Sequence, residues 1–230
     1  HRPRCGVLFA AVCGFDAVLM DRSARSAVCF LNRLFTEFDA LCAGGGPELT
    51  KIETEREVYV SACGCFPRTE ACRSFEDQLA ALADVALRMH RVAHRLGVRL
   101  RAGLHCGPVI AGIVGDKLPR FRLIGDTMNV AARLEQHCMP DVVLLSQVAH
   151  GILRPYGFDL RDHGALRMKG LGEFATFALQ AGAEPWPLLE ATRLGSTPRA
   201  WPPSGPCRLP ESPTDASALG CHSPSCTPSS

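Results

Sequence analysis

The sequence predicts an α+β domain, an antiparallel sheet with helices packed on it. Short β-rich runs alternate with longer stretches of helical periodicity from about Gly6 to Gln180. Two pairs of those runs lie close enough along the chain to be hairpins. Hydrophobic residues make up 47% of the 230-residue chain and charged residues 21%, enough apolar matter to build a sizeable core.

The elements follow in order. Val7 to Cys13 is an apolar run closed by Gly14 and predicts a buried strand. Ser23 or Ser26 can cap the next helix, in which Val28, Leu31, Leu34, Phe35 and Phe38 recur at helical spacing before Gly44-Gly45-Gly46 ends it. No Lys-Ser/Thr pair follows that glycine triplet, so it is a loop and not a phosphate cradle. Lys51–Thr54 and Val58–Ala62 predict two strands joined at Glu55-Arg56-Glu57, a charged, solvated tip. Leu79, Leu82, Ala83, Ala86, Met89 and Val92 give a long helix its apolar face, and Gly97 stops it.

Residues 98–105 alternate as a strand, turn at Gly107-Pro108 and return through Val109–Val114, which predicts a second hairpin. Asp126 or Thr127 opens a helix that Pro140 terminates. Val142–Leu145, Phe158–Leu160, Leu166–Lys169 and Phe174–Leu179 are shorter strand candidates. This order fits a ferredoxin-like antiparallel sheet with its helices on one face. The folded domain is placed at residues 1–183. Residues 184–230 are rich in Pro, Ser and Gly, too poor in periodic apolar residues to offset the entropy of ordering, and predict a disordered tail.

Several function classes are disfavoured by composition. A net charge of +2 without clustered Lys and Arg implies neither a nucleic-acid face nor a polybasic membrane patch. No apolar run approaches the roughly 20 residues needed to cross a bilayer. The start at His1-Arg2-Pro3-Arg4 has neither a signal-peptide core nor a Met, so the chain is expected to be a piece of a longer polypeptide whose membrane status stays open. Twelve cysteines lie scattered through apolar elements, as reduced core thiols do. Cys63 and Cys65, on an alternating strand, would point to one face without completing a zinc set, and His90 with His94 lacks the Glu of a metalloprotease helix.

The segment Arg101-Ala-Gly-Leu-His-Cys-Gly-Pro-Val-Ile-Ala-Gly-Ile-Val-Gly115, with Pro119-Arg-Phe-Arg-Leu-Ile-Gly-Asp-Thr-Met-Asn-Val-Ala-Ala-Arg133 after it, resembles the signature of class III adenylyl/guanylyl cyclase catalytic domains. The likeness extends from about Gly6 to Gln180 and takes in Leu8-Phe9-Ala10, Lys51-Ile-Glu-Thr54 and Met168-Lys169-Gly170. Such domains pair head to tail. One partner supplies two metal-binding aspartates, and the other supplies base and transition-state contacts. Where the first aspartate is expected stands Ala11, and at the turn of the second stands Glu55-Arg56-Glu57. Ala11 removes a ligand outright. The resemblance therefore makes this chain the half that holds no metal, with Mg²⁺ or Mn²⁺, two ions, brought mainly by a complementary metal-binding cyclase domain in the same parent chain or another subunit.

The other half of the machinery is present. Asn129 and Arg133, four apart and so on one helical face, take by resemblance the catalytic roles of orienting the ribose and stabilising charge on the reacting phosphate. Lys169 takes the place of the lysine that meets the triphosphate. Glu53 stands where guanylyl cyclases carry Glu and adenylyl cyclases Lys. A carboxylate can accept from guanine N1–H and N2–H, whereas adenine presents an acceptor there. Arg122 departs from both patterns. As a donor it suits guanine O6 and N7, with Glu53 beside it; alternatively it points into solvent. The expected activity is conversion of GTP to 3′,5′-cyclic GMP and pyrophosphate by a half-domain on the cytoplasmic face of its parent. The alternatives are a catalytically silent cyclase-like regulatory module and a half-domain that uses ATP.

Overall fold

The computed structural model describes residues 4–16, 24–66, 72–168 and 172–180. Ser23, Lys169 and the predicted tail at 184–230 lie outside the described residues.

A seven-stranded sheet has the order β2-β3-β1-β4-β7-β9-β8, with β1 (Arg4–Val12) an inner strand between β3 and the central β4. The other strands are β2 (Leu49–Glu55), β3 (Val58–Cys63), β4 (Leu100–Pro108), β7 (Val143–Ser146), β8 (Asp159–Met168) and β9 (Gly172–Gln180). Neighbours are antiparallel except β4 and β7, which run parallel. A separate two-stranded hairpin is formed by β5 (Ile110–Val114) and β6 (Arg120–Ile124).

Helices α1 (Ala24–Gly44), α2 (Phe75–Arg95) and the short α4 (Gln147–Leu153) cover one face of the sheet, α4 running into a 3₁₀ turn at Arg154–Tyr156. Leu34 and Phe38 of α1, Leu79, Leu82 and Met89 of α2, and Leu153 of α4 meet Leu8, Tyr59, Leu100 and Leu104 in one buried cluster. Each such side chain contributes roughly 1.5–3 kcal/mol by leaving water. Phe38 meets Tyr59 edge-on, with ring centroids 5.4 Å apart, and the Tyr59 hydroxyl donates to Asp39 Oδ1 at 2.7 Å, so the largest ring in the core keeps its polar end satisfied. Ser74 caps α2, its Oγ accepting from the Asp77 amide at 3.0 Å.

Helix α3 (Asp126–His137) lies on the opposite face, a correction to the expectation of helices on one side only. The reason is the alternation along β1 and β4. Leu8, Ala10, Ala102 and Leu104 belong to the first core cluster, while Cys5 and Val7 join Val60, Val109, Leu123 and Ala131 of α3 in a second.

Other expectations are revised as well. Residues 98–105 and 109–114 do not pair with each other; β4 stays in the main sheet between β1 and β7, and β5 pairs with β6 instead. Pro108 has no amide hydrogen to extend a ladder, and its carbonyl is taken by the Thr127 hydroxyl at 2.7 Å, so the chain leaves the sheet there. Gly115, at φ 101°, then helps turn β5 back into β6. Within the described residues the two candidates merge into one edge strand, β8, with a register shift at Asp162–Gly164 that hides its polar middle from a pattern search. Helix α4 escaped notice because it has only seven residues, though Ser146 caps it. Ser26 lies inside α1 and is not its cap. Cys63 and Cys65 fall in different core clusters, because β3 ends at Cys63 and Gly64 takes φ 75°.

Candidate functional site

The second face of the sheet, with α3 and the β5–β6 hairpin, carries four of the residues singled out by sequence, Glu53, Arg122, Asn129 and Arg133. Glu53 reaches it through an irregularity in β2. Lys51 pairs with Ser61, but Glu53 pairs with Val60, so one extra residue is inserted between them. A bulge of this kind re-aims the side chain after it. Regular alternation would put Glu53 beside Lys51, which faces Asp39 of α1 at 2.9 Å; the bulge instead gives Glu53 the face of Val60, above the second cluster.

There Glu53 meets Arg122 of β6. Arg122 Nη1 donates to Glu53 Oε2 in a short charge-assisted hydrogen bond, with both side chains partly buried. Arg122 therefore does not point away into solvent. Glu53 retains a second carboxylate oxygen and Arg122 further N–H groups for another partner. Phe121, next to Arg122, stacks on Phe66 with centroids 5.4 Å apart, tying the hairpin to the end of β3.

Strand β6 runs directly into α3 through Gly125, whose φ of 143° suits glycine. Asn129 is exposed and Arg133 half-buried, four residues apart on one side of the helix. Among the described residues neither side chain is engaged in a hydrogen bond or an ion pair within the chain, which leaves an amide and a guanidinium available to a ligand. The structure thus brings Glu53 to Arg122 and aligns Asn129 with Arg133; Lys169 is outside the described residues.

The face also holds a charged group that sequence reasoning did not single out. Arg101 of β4 donates from Nε to Glu135 of α3, whose side chain is only 4% exposed. Burial pushes the Glu135 carboxyl upward and Arg101 opposes it. Glu57 adds its charge to both. Its side chain is 18% exposed and its Oε2 is buried without accepting a hydrogen bond, although Arg56 Nε faces it at 3.4 Å. This corrects the expectation of a solvated Glu57. Arg56 takes φ 51° to make the turn, which draws Glu57 inward. No pattern in the sequence pairs Arg101 with Glu135; the close approach that joins them passes over Gly103, where a Cβ would meet the backbone of Ala131 and Glu135.

A divalent-metal pair does not fit these residues. Ala11 is fully buried, pairs in register with Arg101 and offers no side-chain oxygen, and the Glu57 carboxylate faces the Arg56 guanidinium at 3.4 Å. Beside the start of α3, a cleft of about 370 Å³ is walled by Pro108, Val109, Ile110, Ile124 and Val130, with His105 and Asp126 as its ionisable groups. None of the sequence-derived site residues lines it.

The family model described as adenylate and guanylate cyclase catalytic domain matches residues 1–181. Guanylate cyclase soluble subunit beta-2 of Rattus norvegicus is 33% identical over 182 residues, covering 76% of this chain and 26% of the rat protein. The membrane guanylyl cyclase of Dictyostelium discoideum is 34% identical over 174 residues, covering 75% of this chain and 11% of its own length. The chain thus spans about a quarter or less of these relatives. Among solved structures, the guanylate cyclase domain of RhGC from Catenaria anguillulae, in complex with GTP, superposes with a TM-score of 0.69 at 25% identity, over 78% of this chain and 97% of that one. The adenylyl cyclase CyaB of P. aeruginosa shares the fold, with a TM-score of 0.72 at 17% identity over 80% and 97%.

Proposed function

Because the chain belongs to the adenylate and guanylate cyclase catalytic-domain family, we propose that it is the purine-binding half of a guanylyl cyclase, converting GTP to 3′,5′-cyclic GMP and pyrophosphate when paired with a metal-bearing cyclase domain. The observation that carries the reading is the bulge-directed meeting of Glu53 and Arg122. Guanine presents N7, O6, N1–H and N2–H in that order along its edge. A donor beside an acceptor matches it, Arg122 toward N7 and O6 and Glu53 toward the two N–H groups. Adenine would set its amino group against Arg122 and its N1 against a carboxylate.

Asn129 orients the ribose, and Arg133 stabilises the charge that develops on the α-phosphate as the 3′-oxygen attacks and pyrophosphate leaves. Lys169 meets the triphosphate as a point charge. The divalent ions, Mg²⁺ or Mn²⁺, belong to the complementary domain's carboxylates, since Ala11 and Glu57 cannot hold them here. Ile113, Val114 and Leu118 at the outer end of the β5–β6 hairpin are more than half exposed, a surface suited to that domain. No described helix is long and apolar enough to cross a membrane. The relatives include one described as soluble and one as membrane-bound; a cytoplasmic position in its parent is part of the proposal, and the supply of GTP there supports it.

A silent regulatory module is the second reading, favoured by one observation: Glu53 and Arg122 already neutralise each other. Cyclic GMP and cyclic AMP production by this chain, by a complementary metal-bearing domain and by their equimolar mixture separates the two. Cyclic GMP from the mixture alone, lost in Asn129→Ala or Arg133→Ala, is the expected result. Demonstrated pairing without product would assign the chain to the regulatory class.

A further inference from the structure

We infer that Arg101 and Glu135 are positioning residues for Asn129 and Arg133, fixing the height and rotation of α3 over β4. The inference rests on the cyclase reading and adds to it the parts that aim the phosphate-facing arginine.

Helix α3 is pinned to β4 at both ends. Near its start, Thr127 Oγ1 donates to the Pro108 carbonyl at 2.7 Å. Near its end, Glu135 accepts from Arg101. The pins lie eight residues apart on α3, about 12 Å at 1.5 Å per residue, and Asn129 and Arg133 sit between them. Between the pins the helix rides directly on the strand. Gly103 permits this, because a Cβ there would collide with the backbone nitrogen of Glu135 and the backbone oxygen of Ala131. The backbone approach fixes the height, and the two polar pins fix rotation and slip.

Glu135 points into the sheet and Arg133 away from it, so a turn of α3 about its axis moves the Arg133 guanidinium sideways. A displacement of about 1 Å at a reacting group can cost on the order of a hundredfold in rate.

Ala11 acquires a role in this arrangement. It lies opposite Arg101 in the β1–β4 register. An aspartate there would offer Arg101 a second carboxylate and draw it off Glu135. With alanine the guanidinium stays with α3, and the negative charge of Glu57 acts on it in the same sense as Glu135. The substitution that removes a metal ligand thus also commits Arg101 to the helix that carries the catalytic side chains.

The test uses Glu135→Gln, Arg101→Gln and the exchange Arg101→Glu with Glu135→Arg. For each, kcat and KM for GTP are measured in the mixture with the metal-bearing domain, and amide hydrogen exchange across residues 126–137 is measured in the chain alone. The single variants should melt cooperatively, lose on the order of tenfold or more in kcat with KM within about threefold, and exchange faster in α3. The charge exchange should recover most of the kcat. A folded Glu135→Gln with full kcat, or a loss expressed through KM, would overturn the inference. If the wild-type mixture makes no product, the cyclase reading fails, and hydrogen exchange still decides the clamp: faster exchange confined to α3 keeps it, and unchanged exchange removes it.

Discussion

Glu53 and Arg122 are joined by a hydrogen bond that depends on the extra residue between Lys51 and Glu53. Without the bulge, alternation would turn the carboxylate toward Asp39 and Lys51 on the first face.

Base selectivity should follow from this pair. Arg122→Ala removes donors to guanine and leaves Glu53 partly buried without its cation, a change of about 1.5–3 kcal/mol for charged hydrogen bonds. That corresponds to roughly a 10- to 150-fold loss in kcat/KM for GTP. Glu53→Lys with Arg122→Asp reverses the hydrogen-bonding signs and should move the preference toward ATP. The ratio of kcat/KM for the two nucleotides, measured in the mixture with a metal-bearing domain, reads both effects. An unchanged ratio in the double variant would remove Glu53 and Arg122 from the base pocket.

Much of this arrangement was legible in the sequence, and the reasons for the gaps are physical. The apolar runs of β1 and β4 and the period of α2 come through because each buries a continuous face. Glu53, Arg122, Asn129 and Arg133 could be picked out because a motif orders them, but not the bulge that brings the first two together. Pairing is where pattern reading fails: β5 lies next to β4 in sequence and pairs with β6 instead, since Pro108 ends the ladder. Arg101 and Glu135 are 34 residues apart, and only tertiary packing joins them.

Ala11→Asp should not make the chain an enzyme by itself. The new carboxylate enters a fully buried position, faces Arg101 and still has only Glu57, flanked by Arg56, as a companion. Its desolvation should lower stability by about 3 kcal/mol or more, offset in part by Arg101. Cyclic nucleotide assays of the lone chain with Mn²⁺ and a thermal melt test this. Product from Ala11→Asp alone would mean that Glu57 does complete a metal site.

Gly103→Ala and Gly112→Ala form a contrasting pair. At Gly103 the added methyl meets helix backbone that no rotamer change can clear, so α3 must lift from β4. A loss of about 1–3 kcal/mol is expected for such overpacking, together with a loss of cyclase activity. At Gly112, in β5, nothing lies within 4 Å of the added atom, and stability should stay within about 0.5 kcal/mol. Urea unfolding compares them directly. Equal effects at the two sites would contradict the close approach of α3 to β4.

Stability should also fall in mild acid because of His105. Its Nδ1 shares a hydrogen bond with Ser146 Oγ at 2.7 Å, and burial pushes its pKa down to about 4 from an ordinary 6.5. The folded state therefore binds the proton more weakly than the unfolded chain does, and protonation favours unfolding. The contribution is fully present above pH 6.5 and is lost as the pH falls from 6.5 toward 4. Between pH 7 and pH 5 the loss from this one group is about 2 kcal/mol. Carboxylates begin to titrate at the lower end of that range, so the comparison is with His105→Asn, which keeps a polar group near Ser146 but takes up no proton. Free energies of unfolding from urea titrations at pH 7, 6 and 5 should converge, the wild type losing its advantage as the pH drops. Parallel lines for the two proteins would mean that His105 takes up its proton as readily folded as unfolded, and that its surroundings are wetter than its burial implies.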